Sequence, residues 1–319
     1  MDPIIVISPE ADLEHDYLVE DRQTKKIRQN FFYMTEGAPA FYAYRDEDFR
    51  EIRWQDECAF FEHQPFWRKG VPLAFISLGC GNAGSEKAWL SCAHAGGYDV
   101  AYFGVDSSRA MLTLAQENLA QETFERAFLL ADFSTEVFQE RLREMTGTFA
   151  KRVYAMLGGT FGNFEQSEIV ETLAALIAPG DYLYLDVVPR YTSESQDRQL
   201  RERLSRLPQN LQLFFDSVLR RLGLDQELGE VYGDEVWDEP LQAWRYRFFF
   251  RAREAVTLPG AESVSLSPGE PLELLNIRAY NPDALKAYMD AHGFAFVDAY
   301  VPDVGHLAHL WQRFLFCRR

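Results

Sequence analysis

Leu73-Ala74-Phe75-Ile76-Ser77-Leu78-Gly79-Cys80-Gly81-Asn82-Ala83-Gly84 decides the fold. Its first six residues are a short apolar run that ends on a glycine, the pattern of a strand buried on both faces of a parallel sheet. Helical spacing follows from Ser85 to about Ala95, with Ser85 read as the N-cap. Glycines leaving a strand let backbone approach a ligand closely, and the amides that open the next helix favour a negative group.

The same pairing repeats downstream. Val100 to Asp106 reads as a strand and Ser108 to Gln121 as a helix. Arg126 to Asp132, Thr135 to Met145, Arg152 to Leu157 and Gln166 to Ile177 continue strand, helix, strand, helix. Pro179-Gly180-Asp181 then turns the chain into a strand from Tyr182 to Val188. This alternation predicts an α/β fold with a doubly wound, Rossmann-like sheet.

After Pro189 the pattern changes. Residues 194 to 222 are charged and helical in spacing, and Trp244 to Arg253 alternates like a strand with one wet face. Val256 to Leu258, Glu262 to Leu266 and Leu272 to Arg278 read as short strands of an antiparallel insertion. Asn281-Pro282-Asp283 opens a helix with Pro282 at N1, and His306 to Phe316 reads as a last strand returning antiparallel to the core. Upstream, Phe41, Tyr44, Phe49 and Ile52 share one helical face. The expected division is a core of residues 62–189 and 281–319, and a smaller α+β substrate domain of residues 1–61 and 190–280.

The chain has 319 residues, 47% of them apolar, enough for one large core with an appended domain. A formal net charge of -17 repels phosphate backbones, so no nucleic-acid partner is expected. The four cysteines form no CxxC pair, and His306 and His309 have no third ligand at usable spacing, so no metal is expected. The N-terminus lacks a basic-then-apolar signal and no run of 18 apolar residues occurs. Together these predict a reduced, cytoplasmic chain without a membrane partner; they are silent on oligomeric state.

Three strand ends carry ligand-compatible groups in order. The Gly79-Cys80-Gly81 turn comes first. Asp106 can accept both hydroxyls of a ribose, or cap the helix that begins at Ser107 or Ser108. Asp132 can accept an adenine amino group while Phe133 packs on the ring, or the pair can be a capping turn with Ser134 and Thr135. Gly79 to Gly84 satisfies GxGxxG literally, which keeps a nicotinamide dinucleotide as a minor alternative. The strand ends Asp106 and Asp132-Phe133 suit S-adenosyl-L-methionine (SAM) better.

Gly79-Cys80-Gly81-Asn82-Ala83-Gly84-Ser85-Glu86-Lys87, Val105-Asp106, Ala131-Asp132-Phe133, Leu157-Gly158-Gly159-Thr160-Phe161-Gly162-Asn163 and Ala178-Pro179-Gly180-Asp181 resemble the histidine Nα-methyltransferases of ergothioneine biosynthesis. The resemblance spans roughly residues 25 to 319 and is most specific from Gly79 to Asp181. It implies a class I methyltransferase core with a substrate domain built from the N-terminus and the insertion. It implies that Gly79, Cys80 and Gly81 grip SAM and that Lys87 lies near its methionyl carboxylate. Asp106 and Ser107 would hold ribose, Asp132 and Phe133 adenine, and Gly158 the region of the transferring methyl. Asn163 would hold the α-carboxylate of an amino-acid acceptor, and Tyr33 would sit near its amine with a catalytic role.

The departures concern the acceptor. The family reads the imidazole with a carboxylate and a hydroxyl two residues apart, and the aligned pair here is Leu275 and Ile277. Glu273 lies two residues earlier, on the same face of the predicted strand, so a register shift would bring a carboxylate back. Ser77 stands where the family has an acid, and the glycine turn is two residues longer. A site without the imidazole-reading groups should lose its histidine preference, because hydrogen bonds to a buried site discriminate strongly. The expected function is therefore methylation of a small amino-acid-like molecule, N-methylation of an amine, with histidine itself disfavoured. A non-catalytic or partner-dependent SAM-binding protein, and a methyltransferase for a peptide or natural product, are the alternatives.

Overall fold

The computed structural model describes residues 2–9, 25–35, 37–42, 54–190, 209–259, 264–301 and 312–319. Tyr44, Phe49, Ile52, His306 and His309, and the expected helical segment 194–208, lie outside the described residues.

The core alternates as expected through β2 (Leu73–Leu78), α2 (Gly84–Ala95), β3 (Val100–Asp106), α3 (Arg109–Asn118), β4 (Glu125–Leu130), α4 (Glu136–Thr146), β5 (Lys151–Met156), α5 (Gln166–Leu176) and β6 (Tyr182–Pro189). Strands β4, β3, β2, β5 and β6 lie side by side and parallel. Every residue of β2 and β3 is buried, so neither face reaches water. One face packs Ile76 and Leu78 with Phe138, Leu142, Ile169 and Val170 of α4 and α5. The other packs Phe75 with Trp89 and Leu90 of α2 and Leu112 of α3. Layered helices on both faces of a parallel sheet are what fully apolar strands require.

Two pieces of the N-terminal region belong to this core. Strand β1 (Ile4–Val6) adds to the sheet parallel to β4, and helix α1 (Trp54–Glu62) puts Cys58 and Phe61 into the cluster around Trp89.

The insertion is antiparallel, as read, and larger than read. Helix α6 (Gln209–Arg221) covers a sheet of β7 (Gly229–Asp238), β8 (Ala243–Ala252) and β11 (Pro271–Tyr280); β9 (Val256–Leu258) and β10 (Val264–Leu266) form a hairpin. β11 runs on from β6 in parallel pairing at Ala279 with Val188, so the two sheets are continuous. Helix α7 (Pro282–Ala291) starts at the Asn281 cap with Pro282 at N1. It leads to β12 (Phe294–Tyr300) and β13 (Gln312–Arg318). β13 inserts antiparallel between β6 and β12.

Helix α2 corrects the cap reading. Its N-cap is Ala83 in the left-handed conformation (φ 55°), and Ser85 lies inside the helix. Asn82 does the capping work instead, its Oδ1 accepting the Gly84 amide at 3.0 Å. The two surplus turn residues are therefore a side-chain cap and the bend that serves it.

Candidate functional site

The carboxyl ends of β4, β3, β2 and β5 open together on one cleft, at the point where the chain direction across the sheet reverses between β2 and β5. The cleft holds about 790 Å³ of space, part of it open to solvent. Gly79, Cys80, Gly81, Asp106, Ser107, Asp132, Phe133, Gly158, Tyr33 and Asn163 all border it. Residues separated by more than a hundred positions in the chain are thus brought to one wall.

The turn after β2 is anchored by backbone. The Gly79 and Cys80 amides both donate to Val105 O at 2.9 Å. Gly79 (φ 71°) and Gly81 (φ 54°) take left-handed conformations that a side chain resists. Gly81 has a second reason to be glycine: a Cβ there would stand 2.5 Å from the Tyr42 hydroxyl. That hydroxyl accepts the Asn82 amide, so Tyr42 from the N-terminal region clamps the turn. Gly81→Ala must therefore strain φ and displace Tyr42 together. We expect it to weaken SAM binding by roughly 5- to 150-fold in calorimetric titration, from strain of about 1–3 kcal/mol; wild-type affinity would show that the turn tolerates the displacement.

Asp106 is 8% exposed. Its Oδ2 accepts the Gly81 amide at 3.0 Å and its Oδ1 the Ser108 amide at 2.9 Å. Ser108, not Asp106, caps α3, its Oγ accepting the Met111 amide. Asp132 Oδ1 accepts from Ser134 N and Ser134 Oγ, and the Phe133 ring meets Phe164 edge-on at 5.6 Å.

Gly158 and Gly159 leave β5 with φ 69° and 78°, and a Cβ on either would meet nothing within 4 Å. The Gly158 amide donates to Asp186 Oδ2 at 3.0 Å. The 3-10 turn Thr160–Asn163 then presents Asn163, which is 9% exposed. Asn163 Nδ2 donates to the Tyr33 hydroxyl at 3.4 Å, and its carbonyl accepts from Asn276 Nδ2 at 3.3 Å. Tyr33 ends a second 3-10 turn, Gln29–Tyr33, with its ring against Phe41 and Phe214.

Cys80 is buried, and burial pushes its thiol pKa well up, reinforced by Asp106 and Glu86. It stays a neutral packing group rather than a nucleophile.

Lys87 does not reach the cleft. Its ammonium donates to Asn118 O at 2.8 Å on the far side of α2, with Glu122 at 3.8 Å. The preceding residue turns inward instead: Glu86, 2% exposed, borders the cleft and accepts from Ser77 Oγ. A carboxylate thus stands beside the Ser77 position, reached from the helix rather than the strand.

Leu275, Ile277 and Glu273 do not line the cleft either. A bulge between Glu273 and Leu275 breaks the alternation, so the three do not share a face. Leu275 pairs with Phe248, and both join the apolar cluster under α6, with Ile277 and Tyr33 packed against it. Glu273 points the other way and accepts from Arg245 Nη2 at 3.3 Å.

A second chamber of about 720 Å³ shares Gln29, Asn30, Asp132, Phe133, Asn163 and Phe164 with the first. Lys26, Arg28, Glu165 and Glu168 line its outer part. Burial pushes the Glu165 carboxyl up, but Arg278, Arg245 and Lys26 outweigh it and hold it below the usual carboxylate range. Gln29, Asn30, Phe41, Tyr42, Thr160 and Phe164 border the cleft without having been singled out from sequence. Among the described residues no His, Cys, Asp and Glu group could hold a metal ion, and no helix is long and apolar enough to cross a membrane.

The sequence matches the family described as histidine-specific methyltransferase, SAM-dependent, over residues 17–313. No curated protein sequence matches it. Among solved structures, a SAM-dependent methyltransferase from Clostridium acetobutylicum ATCC 824 is similar at 13% identity and TM-score 0.47, covering 88% of this chain and 98% of that one. A 1,6-didemethyltoxoflavin-N1-methyltransferase from Burkholderia thailandensis is similar at 12% identity and TM-score 0.44, covering 88% of this chain and 84% of that one. The parallel sheet with β13 antiparallel between β6 and β12 is a class I methyltransferase core, Rossmann-like, with an added small sheet.

Proposed function

The chain belongs to the SAM-dependent histidine-specific methyltransferase family, and from that premise we propose that it N-methylates a small amino-acid-like amine other than histidine, held between Tyr33 and Asn163. The observation that carries this reading is the Tyr33–Asn163 contact at the edge of a glycine-lined cleft. SAM fits the residues present: Gly158 and Gly159 leave open the space that a Cβ would enter, and the Asp106 carboxylate borders the cleft beside the turn.

When bound, SAM supplies a methyl group already activated on a sulfonium, so the protein's task is placement. Asp106 and Ser107 would hold the ribose, Asp132 and Phe133 the adenine, and Gly79 to Gly81 the methionyl end. Asn163 would donate through Nδ2 to the acceptor's carboxylate. The amine must arrive neutral, with its lone pair free; the Tyr33 hydroxyl oxygen would take one of its N–H groups and pass the proton lost on transfer towards water.

The case against histidine rests on the resemblance: Leu275 and Ile277 stand where the family has the carboxylate and hydroxyl that read the imidazole, and both belong to the apolar packing under α6. The outer chamber favours a longer acceptor, such as a peptide or natural product, as a second reading.

Methyl-labelled SAM, offered with free amino acids, small amines and a cell extract, tests the proposal by mass spectrometry of the products. Label is expected in a small amine, with histidine a poor acceptor. Efficient histidine labelling would refute the substrate inference, and no SAM binding at millimolar concentration would refute the function. Tyr33→Phe and Asn163→Ala should each lower kcat/KM by roughly 10- to 100-fold, since each removes a directed hydrogen bond at the reacting end.

A further inference from the structure

Gln29 stands in the wall shared by the two chambers and is 6% exposed. Its Nε2 donates to the Leu274 carbonyl at 3.0 Å, which fixes the orientation of the amide. The other end, Oε1, is buried and accepts no hydrogen bond. Of the described residues that border either chamber, Gln29 has the one buried acceptor oxygen in that condition. Asn276 Oδ1 is a second such oxygen just behind the wall, on the side chain that bonds Asn163 O. Buried carbonyl oxygens are almost always paired, so one left over beside a ligand cleft points to a donor on the ligand.

Resting on the methyl-transfer reading above, we propose that Gln29 is a specificity-determining residue whose Oε1 receives an N–H of the acceptor. The donor count selects the acceptor class. A neutral primary amine can donate one N–H to Gln29 Oε1 and another to the Tyr33 oxygen while its lone pair stays free for the methyl. A hydroxyl has one proton and cannot serve both oxygens. The site would therefore take primary amines and reject the matching alcohols, and Gln29 would turn the amine so that its lone pair faces the cofactor.

Gln29→Met keeps the side-chain volume and removes the oxygen, Gln29→Asn withdraws the oxygen by one methylene, and Gln29→Glu keeps an oxygen at full length. The probes are methyl-labelled SAM with the proteinogenic amino acids, and the α-hydroxy analogue of whichever amino acid wild type labels best. Gln29→Met and Gln29→Asn should raise KM for that amino acid by roughly 5- to 100-fold, leave the SAM Kd unchanged, and narrow the preference over the hydroxy analogue. Gln29→Glu should recover part of the loss. An unchanged KM in folded Gln29→Met or Gln29→Asn would overturn the proposal, as would a KM loss matched by an equal loss of SAM affinity. If wild type binds SAM and labels no amino acid, the acceptor reading itself falls and this proposal with it. Labelling by wild type with unaffected variants overturns the Gln29 assignment alone.

Discussion

Asp106→Ala is expected to weaken binding of SAM and of S-adenosylhomocysteine by roughly 100-fold, because hydrogen bonds to a charged group are worth about 1.5–3 kcal/mol each and a ribose can make two. The carboxylate also staples the cofactor turn to α3, through the Gly81 and Ser108 amides. Its removal thus deletes ligand contacts and frees the turn that makes others. Two comparisons separate these effects. Methylthioadenosine keeps the ribose but lacks the amino-acid end, so its loss reads the ribose contacts and any excess loss for SAM reads the freed turn. Asp106→Asn keeps an oxygen for one amide and should fall between alanine and wild type. Titration calorimetry reads all of these. Unchanged affinity, with only a lower Tm for the free protein, would reduce Asp106 to a loop staple.

That site was legible because it lies at strand ends, and the strands were legible because water is excluded from both their faces. β2 is apolar but for Ser77, β3 is apolar up to its terminal Asp106, and β2 stops at a glycine. β7 is the opposite case. Half of its residues are exposed, and Glu230, Asp234 and Glu235 give it the pattern of a solvated loop. It holds as a strand through ten residues of pairing with β8, where Arg247 and Arg251 meet Asp234 and Glu230 across the ladder. β1 has three residues and no pattern of its own; its evidence is the partner strand β4.

Residues expected at the site that do not line the cleft are placed elsewhere by local geometry. Glu273 was assigned a face by counting in twos, and a bulge adds a residue to the count. Lys87 follows the glycines closely, yet the left-handed Ala83 sets where α2 begins, and its side chain runs to the end of α3. Tyr42 carries no motif at all; its role exists only because a turn 40 positions away brings an amide to its hydroxyl. Gln29 is similar, defined by a carbonyl 245 positions away.

The largest expected loss of stability comes from Arg313→Met, at about 3–5 kcal/mol, because breaking a buried pair leaves an uncompensated charge. Arg313 is 1% exposed and pairs with Glu57, which also accepts from the Tyr184 hydroxyl at 2.6 Å. The guanidinium lies 4.6 Å from the Trp89 ring centre and 3.9 Å from Asp186, which accepts from the Gly158 amide in the cleft. The buried network therefore reaches the cleft wall at Gly158, and SAM affinity should fall along with stability. Burial pushes the Glu57 carboxyl up to about 7, with Arg313 and Tyr184 opposing the rise. A carboxyl raised above its unfolded value contributes stability below the unfolded pKa and loses it as pH climbs through the folded one. Wild type should accordingly weaken between about pH 5 and pH 8. Without Arg313 the folded pKa rises further, so the loss continues to higher pH, and the gap between variant and wild type should be wider at about pH 8.5 than at about pH 6. Urea unfolding at both values measures it. A gap that is constant with pH would mean that Glu57 does not titrate in this range and that Arg313 acts through packing on Trp89.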